Sequence, residues 1–116
     1  MILRTFAAAA SLTMISLSAF AAGPHPSATD SVTVNYVGKL ENGTVFDSSA
    51  RHGGPATFRL DRVIPCWTQG LQSMTVGETK QLTCPPDTAY GANGIPGVIP
   101  PNSTLHFTVT LLHIGH

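Results

Sequence analysis

Charge is scarce in this 116-residue chain: only 10% of its residues are Asp, Glu, Lys or Arg, six basic against six acidic. That balance excludes the basic surface that nucleic acid or a polybasic lipid contact demands. Reactive constellations are equally absent. The chain has no Gly-x-Ser-x-Gly, no phosphate-binding glycine loop and no metal-type histidine pair on a predicted helix. His106 and His113 differ in face parity along the last predicted strand, and His25 and His116 read as terminal and solvated. No metal or other cofactor is therefore expected. Cys-x-x-Cys is missing too, which argues against a dithiol redox centre. No internal repeat or second domain is visible.

The N-terminal stretch is set apart from the rest. Met1 to Arg4 carries one positive charge, Thr5 to Phe20 is rich in Ala, Leu, Ile and Met, and Ala19-Phe20-Ala21 has a small-x-small pattern. This is the layout of a secretory signal peptide over residues 1–22, cleaved near Ala21 or Ala22. The alternative is a retained anchor, for which the apolar run is short against a span of about 20 residues. Gly23 to Asp30 reads as a short flexible lead-in, and residues 31–116 as one small domain. Removing Arg4 leaves five basic and six acidic residues. Two cysteines remain, Cys66 and Cys84, and an even count in an exported chain favours a bridge over two buried free thiols.

Val32, Val34 and Tyr36 alternate with Thr33, Asn35 and Val37, the period of a half-buried strand. Asn42-Gly43 predicts a type I′ hairpin joining Val37–Leu40 to Thr44–Asp47. Further strands follow at Ala56–Leu60 and Glu78–Cys84. The longest is last, with Leu105, Phe107, Val109 and Leu111 facing one way. Helical spacing occurs once, where Trp67, Leu71 and Met74 share a face over about two turns. The expected class is α+β, an antiparallel sheet of about five strands carrying one short helix.

Aromatics make up 7% of the chain, yet most of them fall in one set with few polar members. It comprises Tyr36, Phe46, Asp47, Val63, Ile64, Trp67, Tyr90, Ile95, Val98, Ile99 and Phe107. The stretch from Tyr90 to Phe107 is unusual for a loop, because glycines and prolines fix its shape around the aliphatic Ile95, Val98 and Ile99. A pocket lined this way suits an apolar ligand held by one or two hydrogen bonds. Each member also has a plain structural reading. Phe46, Val63, Trp67 and Phe107 could be core, and Asp47 before Ser48-Ser49 could cap a turn.

Five motifs occur in order: Val34-x-Tyr36-x-Gly38-x-Leu40-x-x-Gly43, Phe46-Asp47-Ser48-Ser49, Val63-Ile64-Pro65-x-Trp67-x-x-Gly70-Leu71, Val76-Gly77-Glu78, and Ala89-Tyr90-Gly91 through Ile99-Pro100-Pro101-x-x-Thr104-Leu105-x-Phe107. Together they resemble the FKBP family of peptidyl-prolyl cis-trans isomerases, the macrolide-binding type, over residues 31–114. The resemblance is to an exported bacterial single-domain member. It implies a five- to six-stranded antiparallel sheet curled around the helix, with Trp67 as the floor of a pocket between them. It also implies that Asp47, Tyr90, Ile64 and Trp67 act on the substrate, the Ile64 N–H and Tyr90 hydroxyl holding carbonyls. Tyr36, Phe46, Val63 and Phe107 would line the site, and Ile95, Val98 and Ile99 would form a flap over it.

By the same resemblance, the partners are proline-containing polypeptides and rapamycin-type macrolides. A monomer in the periplasm or outside the cell is expected, since no long N-terminal dimerisation helix is seen. Some positions depart from the family pattern. Ala56 replaces a pocket phenylalanine, Cys66 replaces a small residue, and His52 stands where an arginine usually partners Asp47, with Arg51 one position earlier. Ile95 falls at a position that varies and tunes substrate preference. The alternative function is a non-catalytic proline-binding or chaperone module on the same fold.

Overall fold

A computed structural model describes residues 23–116; the expected signal peptide lies outside the described residues. Five strands form one antiparallel sheet: β1 (Ser31–Lys39), β2 (Val45–Ser48), β3 (Ala56–Arg59), β4 (Thr79–Cys84) and β5 (Leu105–Gly115). The single α-helix, α1, spans Pro65–Leu71. β5 lies between β1 and β4, while β2 and β3 share the other edge of β1. β3 pairs with Ser31–Val34 and β2 with Val37–Lys39.

Between β2 and β3 the chain leaves the sheet through a 3-10 turn at Ser49–His52. This gap exposes the Tyr36 backbone, and the Ser49 hydroxyl fills it, accepting from the Tyr36 N–H at 3.0 Å. Ser49 is itself buried. A side chain thus stands in for the missing ladder partner, as a buried N–H requires.

The core follows the alternation read from the sequence. Val32, Val34, Leu105, Val109 and Leu111 are fully buried, and Tyr36 and Phe107 nearly so. α1 adds Trp67 and Leu71, and Met74 just beyond its end is also fully buried. Pro65 opens the helix, where its missing N–H costs nothing. The last turn is closed by side chains, the Gln72 amide donating to the Thr68 carbonyl and the Ser73 hydroxyl to that of Gly70.

Two local expectations are corrected. The β1–β2 turn is not type I′, because Asn42 keeps a negative φ and only Gly43 is left-handed, at φ 89°. Gly43 donates to the Leu40 carbonyl at 2.9 Å, and Leu40 donates to Thr44 at 2.8 Å. The result is a three-residue loop whose left-handed glycine makes a bulge, and the register of β1 against β2 shifts between Gly38 and Lys39. Near its end β5 carries a second irregularity: Thr33 faces His113 but Val34 faces Leu111, leaving Leu112 unpaired and exposed. The extra residue resets the alternation. Ile114 turns back toward the core, and His113 shares the outer side with His106 instead of opposing it.

Residues 23–30 lie against the domain. Pro26 is buried, His25 Nδ1 is 2.9 Å from the Met74 carbonyl, and Asp30 accepts from the Ser27 N–H at 2.8 Å. Asp30 also meets His116 Nδ1 at 3.1 Å. Cys66 and Cys84 form a disulfide, with their Cα atoms 5.6 Å apart. It ties the first turn of α1 to the end of β4. Among the described residues, no helix is long and apolar enough to cross a membrane.

Candidate active site

Side chains from four strands, from α1 and from two connections surround a cavity of about 400 Å³. Its walls are Tyr36 on β1, Phe46 and Asp47 on β2, Phe58 on β3, Trp67 on α1 and Phe107 on β5. Arg62, Val63 and Ile64 come from the segment before α1, and Tyr90 from the long connection after β4.

The rings interlock edge to face. Trp67 lies 5.3 Å from Tyr36, 5.6 Å from Phe58 and 5.3 Å from Phe107, each at 80–90° between planes. Phe46 meets Phe107 at 5.6 Å. Such pairs are favourable beyond their burial, so the floor is held rigidly without any polar group. The Trp67 indole N–H has no acceptor among the described residues.

Polar groups converge on one side. The Tyr36 hydroxyl donates to Asp47 Oδ2 at 2.8 Å. Asp47 Oδ1 accepts from the Ser48 N–H at 2.8 Å and lies 2.8 Å from His52 Nε2. Partial burial pushes the Asp47 carboxyl up, but the Tyr36 hydroxyl, His52 and the Ser48 N–H outweigh it and leave the group below its ordinary value. Burial, then the Asp47 carboxylate, pushes the Tyr36 phenol up to about 12. Tyr36 therefore keeps its proton and donates a hydrogen bond to Asp47 at physiological pH. The Tyr90 phenol is raised as well, first by burial and then by Asp47.

Besides the Trp67 indole N–H, the Tyr90 hydroxyl and the Ile64 backbone N–H remain without protein partners among the described residues. Ile64 directly precedes Pro65 and gives its carbonyl to Trp67 and Thr68, which aims the peptide unit but leaves the N–H free. Gly94 helps position Tyr90 by donating to its carbonyl at 3.1 Å. At φ 57°, with Ile99 and Pro100 carbonyls 2.2 and 2.7 Å from where a Cβ would lie, that position admits only glycine.

Eight of the residues named from the sequence therefore meet in one place: Tyr36, Phe46, Asp47, Val63, Ile64, Trp67, Tyr90 and Phe107. The expected flap residues do not line the cavity. Ile95 and Ile99 bond each other's backbones at 2.8 Å in both directions, and Gly97 turns the tip between them at φ 78°. That pairing sends Ile99 into the core, packs Ile95 against it and leaves Val98 46% exposed. Phe58 and Arg62 were not named as site residues. Phe58 was legible only as an alternating member of β3, beside the smaller Ala56, and Arg62 carried no signal.

His52 takes the partner position beside Asp47, while Arg51 donates instead to the Val45 carbonyl at 3.1 Å. Among the described residues no group of three or more His, Cys, Asp or Glu could hold a metal ion.

The lowered carboxyls give a pH dependence of known sign. Asp47 is lowered for the reasons above, Asp30 chiefly by the Ser27 N–H, and Asp61 chiefly by Arg59. Each binds protons less readily folded than unfolded, so each contributes stability above the unfolded value of about 3.9. That contribution is lost as pH falls through the lower folded values. Urea midpoints should therefore decline below about pH 4, and less steeply in Asp47→Asn; equal slopes in the two proteins would remove Asp47 from the account.

The FKBP-type peptidyl-prolyl cis-trans isomerase family profile matches residues 23–112, and the chain belongs to that family. It is 56% identical over 89 residues to FK506-binding protein 2 of Yarrowia lipolytica, covering 75% of this chain and 62% of that protein. FK506-binding protein 1 of Dictyostelium discoideum is 51% identical over 92 residues, covering 78% of this chain and 86% of that one. The crystal structure of FkpA from Escherichia coli is similar at a TM-score of 0.76 and 49% identity, over 80% of this chain and 43% of that chain. The chain thus spans less than two thirds of the Yarrowia protein and under half of FkpA.

Proposed function

We propose that this chain is a peptidyl-prolyl cis-trans isomerase that binds the proline ring on Trp67 and twists the preceding peptide bond. The observation that carries the reading is an aromatic cavity of about 400 Å³ with the unpartnered Tyr90 hydroxyl and Ile64 N–H at its wall. An X-Pro bond crosses a barrier of about 18–20 kcal/mol through a twisted amide that has lost its resonance. The twisted form separates less charge than the planar one. A dry, apolar enclosure therefore favours it, and each ~1.4 kcal/mol of that preference is worth tenfold in rate.

No nucleophile or proton relay is needed. Asp47, ionised and engaged by three donors, acts as an orienting and electrostatic group that holds the Tyr36 phenol against the cavity. Val63, Phe46 and Phe107 complete the walls. Ile99 anchors the Tyr90 segment in the core, and Ile95 and Val98 reach a substrate only where it extends beyond the cavity.

Substrates on this reading are proline-containing segments of exported polypeptides, and rapamycin-type macrolides compete with them. The expected signal sequence and the Cys66–Cys84 bridge support a periplasmic or secreted location, and the expected state is a monomer. The test is the cis-to-trans rate of a proline peptide. Tyr90→Phe should reduce kcat/KM about three- to tenfold, the worth of one hydrogen bond. Asp47→Ala should reduce it about tenfold or more by leaving the Tyr36 hydroxyl unpaired. A wild-type rate equal to background, with no macrolide binding, would leave only a non-catalytic module.

A further inference from the structure

Arg62 lines the cavity yet has no part in the chemistry above. Its side chain makes no hydrogen bond or ion pair among the described residues. The neighbouring carboxylate is already taken: Arg59 donates to Asp61 through Nε at 3.0 Å and through Nη2 at 2.6 Å. Asp47, the other acidic group at the cavity, is engaged by Tyr36, Ser48 and His52. The remaining lining residues are uncharged. The Arg62 guanidinium therefore has no direct partner at the rim, with Asp61 near enough to feel its charge and the ionised Asp47 lining the same cavity, and it stands two residues from the free Ile64 N–H.

We propose that Arg62 is a specificity-determining residue that selects proline-containing segments with an acidic side chain within two residues of the proline. The proposal rests on the isomerase reading. Val63 (φ −121°, ψ 175°) and Ile64 (φ −61°, ψ 146°) are extended, so Arg62 and Ile64 are separated by about 7 Å along the chain. A substrate lying extended, with one carbonyl on the Ile64 N–H, brings a side chain about two residues further on beneath the guanidinium. The planar fork of Arg matches a carboxylate in two parallel hydrogen bonds, and an amide or an amine there cannot reproduce that geometry and charge.

The rim is open to solvent, so the effect is bounded. An exposed pair of this kind gives about two- to fivefold in kcat/KM, weakening as salt shortens the range of the field.

The test compares peptides carrying Glu, Gln or Lys at each position within two residues of the proline. Turnover is read by NMR exchange, which needs no coupling protease with preferences of its own. Binding is read from the fluorescence of Trp67, the only tryptophan in the chain. The Glu-to-Lys ratio in the wild type should reach about two- to fivefold at one position at low salt. It should fall to one in Arg62→Gln and invert in Arg62→Glu. It should also shrink in Arg59→Gln, where the freed Asp61 carboxylate can neutralise Arg62. Equal ratios at every position, or a preference that survives Arg62→Gln, overturn the proposal while leaving the isomerase reading intact. Neither turnover nor binding with any peptide overturns both.

Discussion

Trp67→Ala is expected to lower the stability of the domain by about 3–5 kcal/mol and to abolish measurable proline-peptide turnover. The residue is only 5% exposed, and three rings meet it edge to face within 5.6 Å. Truncation removes the partner of all three at once and merges the space of the indole with the cavity beneath the substrate. Trp67→Phe separates the packing effect from the polar one. The indole N–H donates to nothing among the described residues, so its removal forfeits no hydrogen bond. Phenylalanine should hold the stability loss to about 1.5 kcal/mol or less. Urea midpoints for the two variants decide the matter: a Phe variant as unstable as the Ala variant would mean that the N–H has a partner after all.

Removing the Cys66–Cys84 bridge should cost about 3 kcal/mol. For a domain of this size that corresponds to a fall in Tm of roughly 12–24 °C. The two residues are separated by 18 positions, and the closed segment contains α1 from Cys66 onward and the whole of β4. A seven-residue helix is marginal alone and depends on what it is fastened to. Here one fastening is covalent, next to the residue that floors the cavity. Thermal melts of the Cys66→Ala/Cys84→Ala protein measure the effect, and melting within a few degrees of the wild type would sink the estimate. Turnover should fall in the same variant as temperature rises toward its lowered Tm, since α1 carries Trp67.

The strands were legible because their apolar residues alternate without interruption, and Val32, Val34, Tyr36, Leu105, Phe107, Val109 and Leu111 are buried as that pattern requires. α1 was legible from Trp67 and Leu71. What escaped was everything set by one residue more or less. Asn42-Gly43 carries the composition of a type I′ turn, but the side chain of Asn42 bonds forward to the Thr44 N–H at 2.9 Å, and Gly43 alone absorbs the left-handed step. The bulge at Leu112 has no local signature, because only the pairing with β1 places it. Likewise the segment from Ile95 to Ile99 offers aliphatics to whichever side its backbone chooses. Its mutual hydrogen bonds, invisible in composition, choose the core for Ile99 and solvent for Val98. Arg62 escaped for a different reason: an arginine beside an apolar run reads as a solvated surface residue until the rest of the cavity is in place.

The central pair of the sheet joins the first strand to the last, Ser31 opposite Gly115 and Lys39 opposite His106. Contacts so distant along the chain close late and carry the largest loop entropy. β1 therefore waits, without its principal neighbour, for β5 to be present. A chain made from its N-terminal end cannot set this core until β5 has appeared.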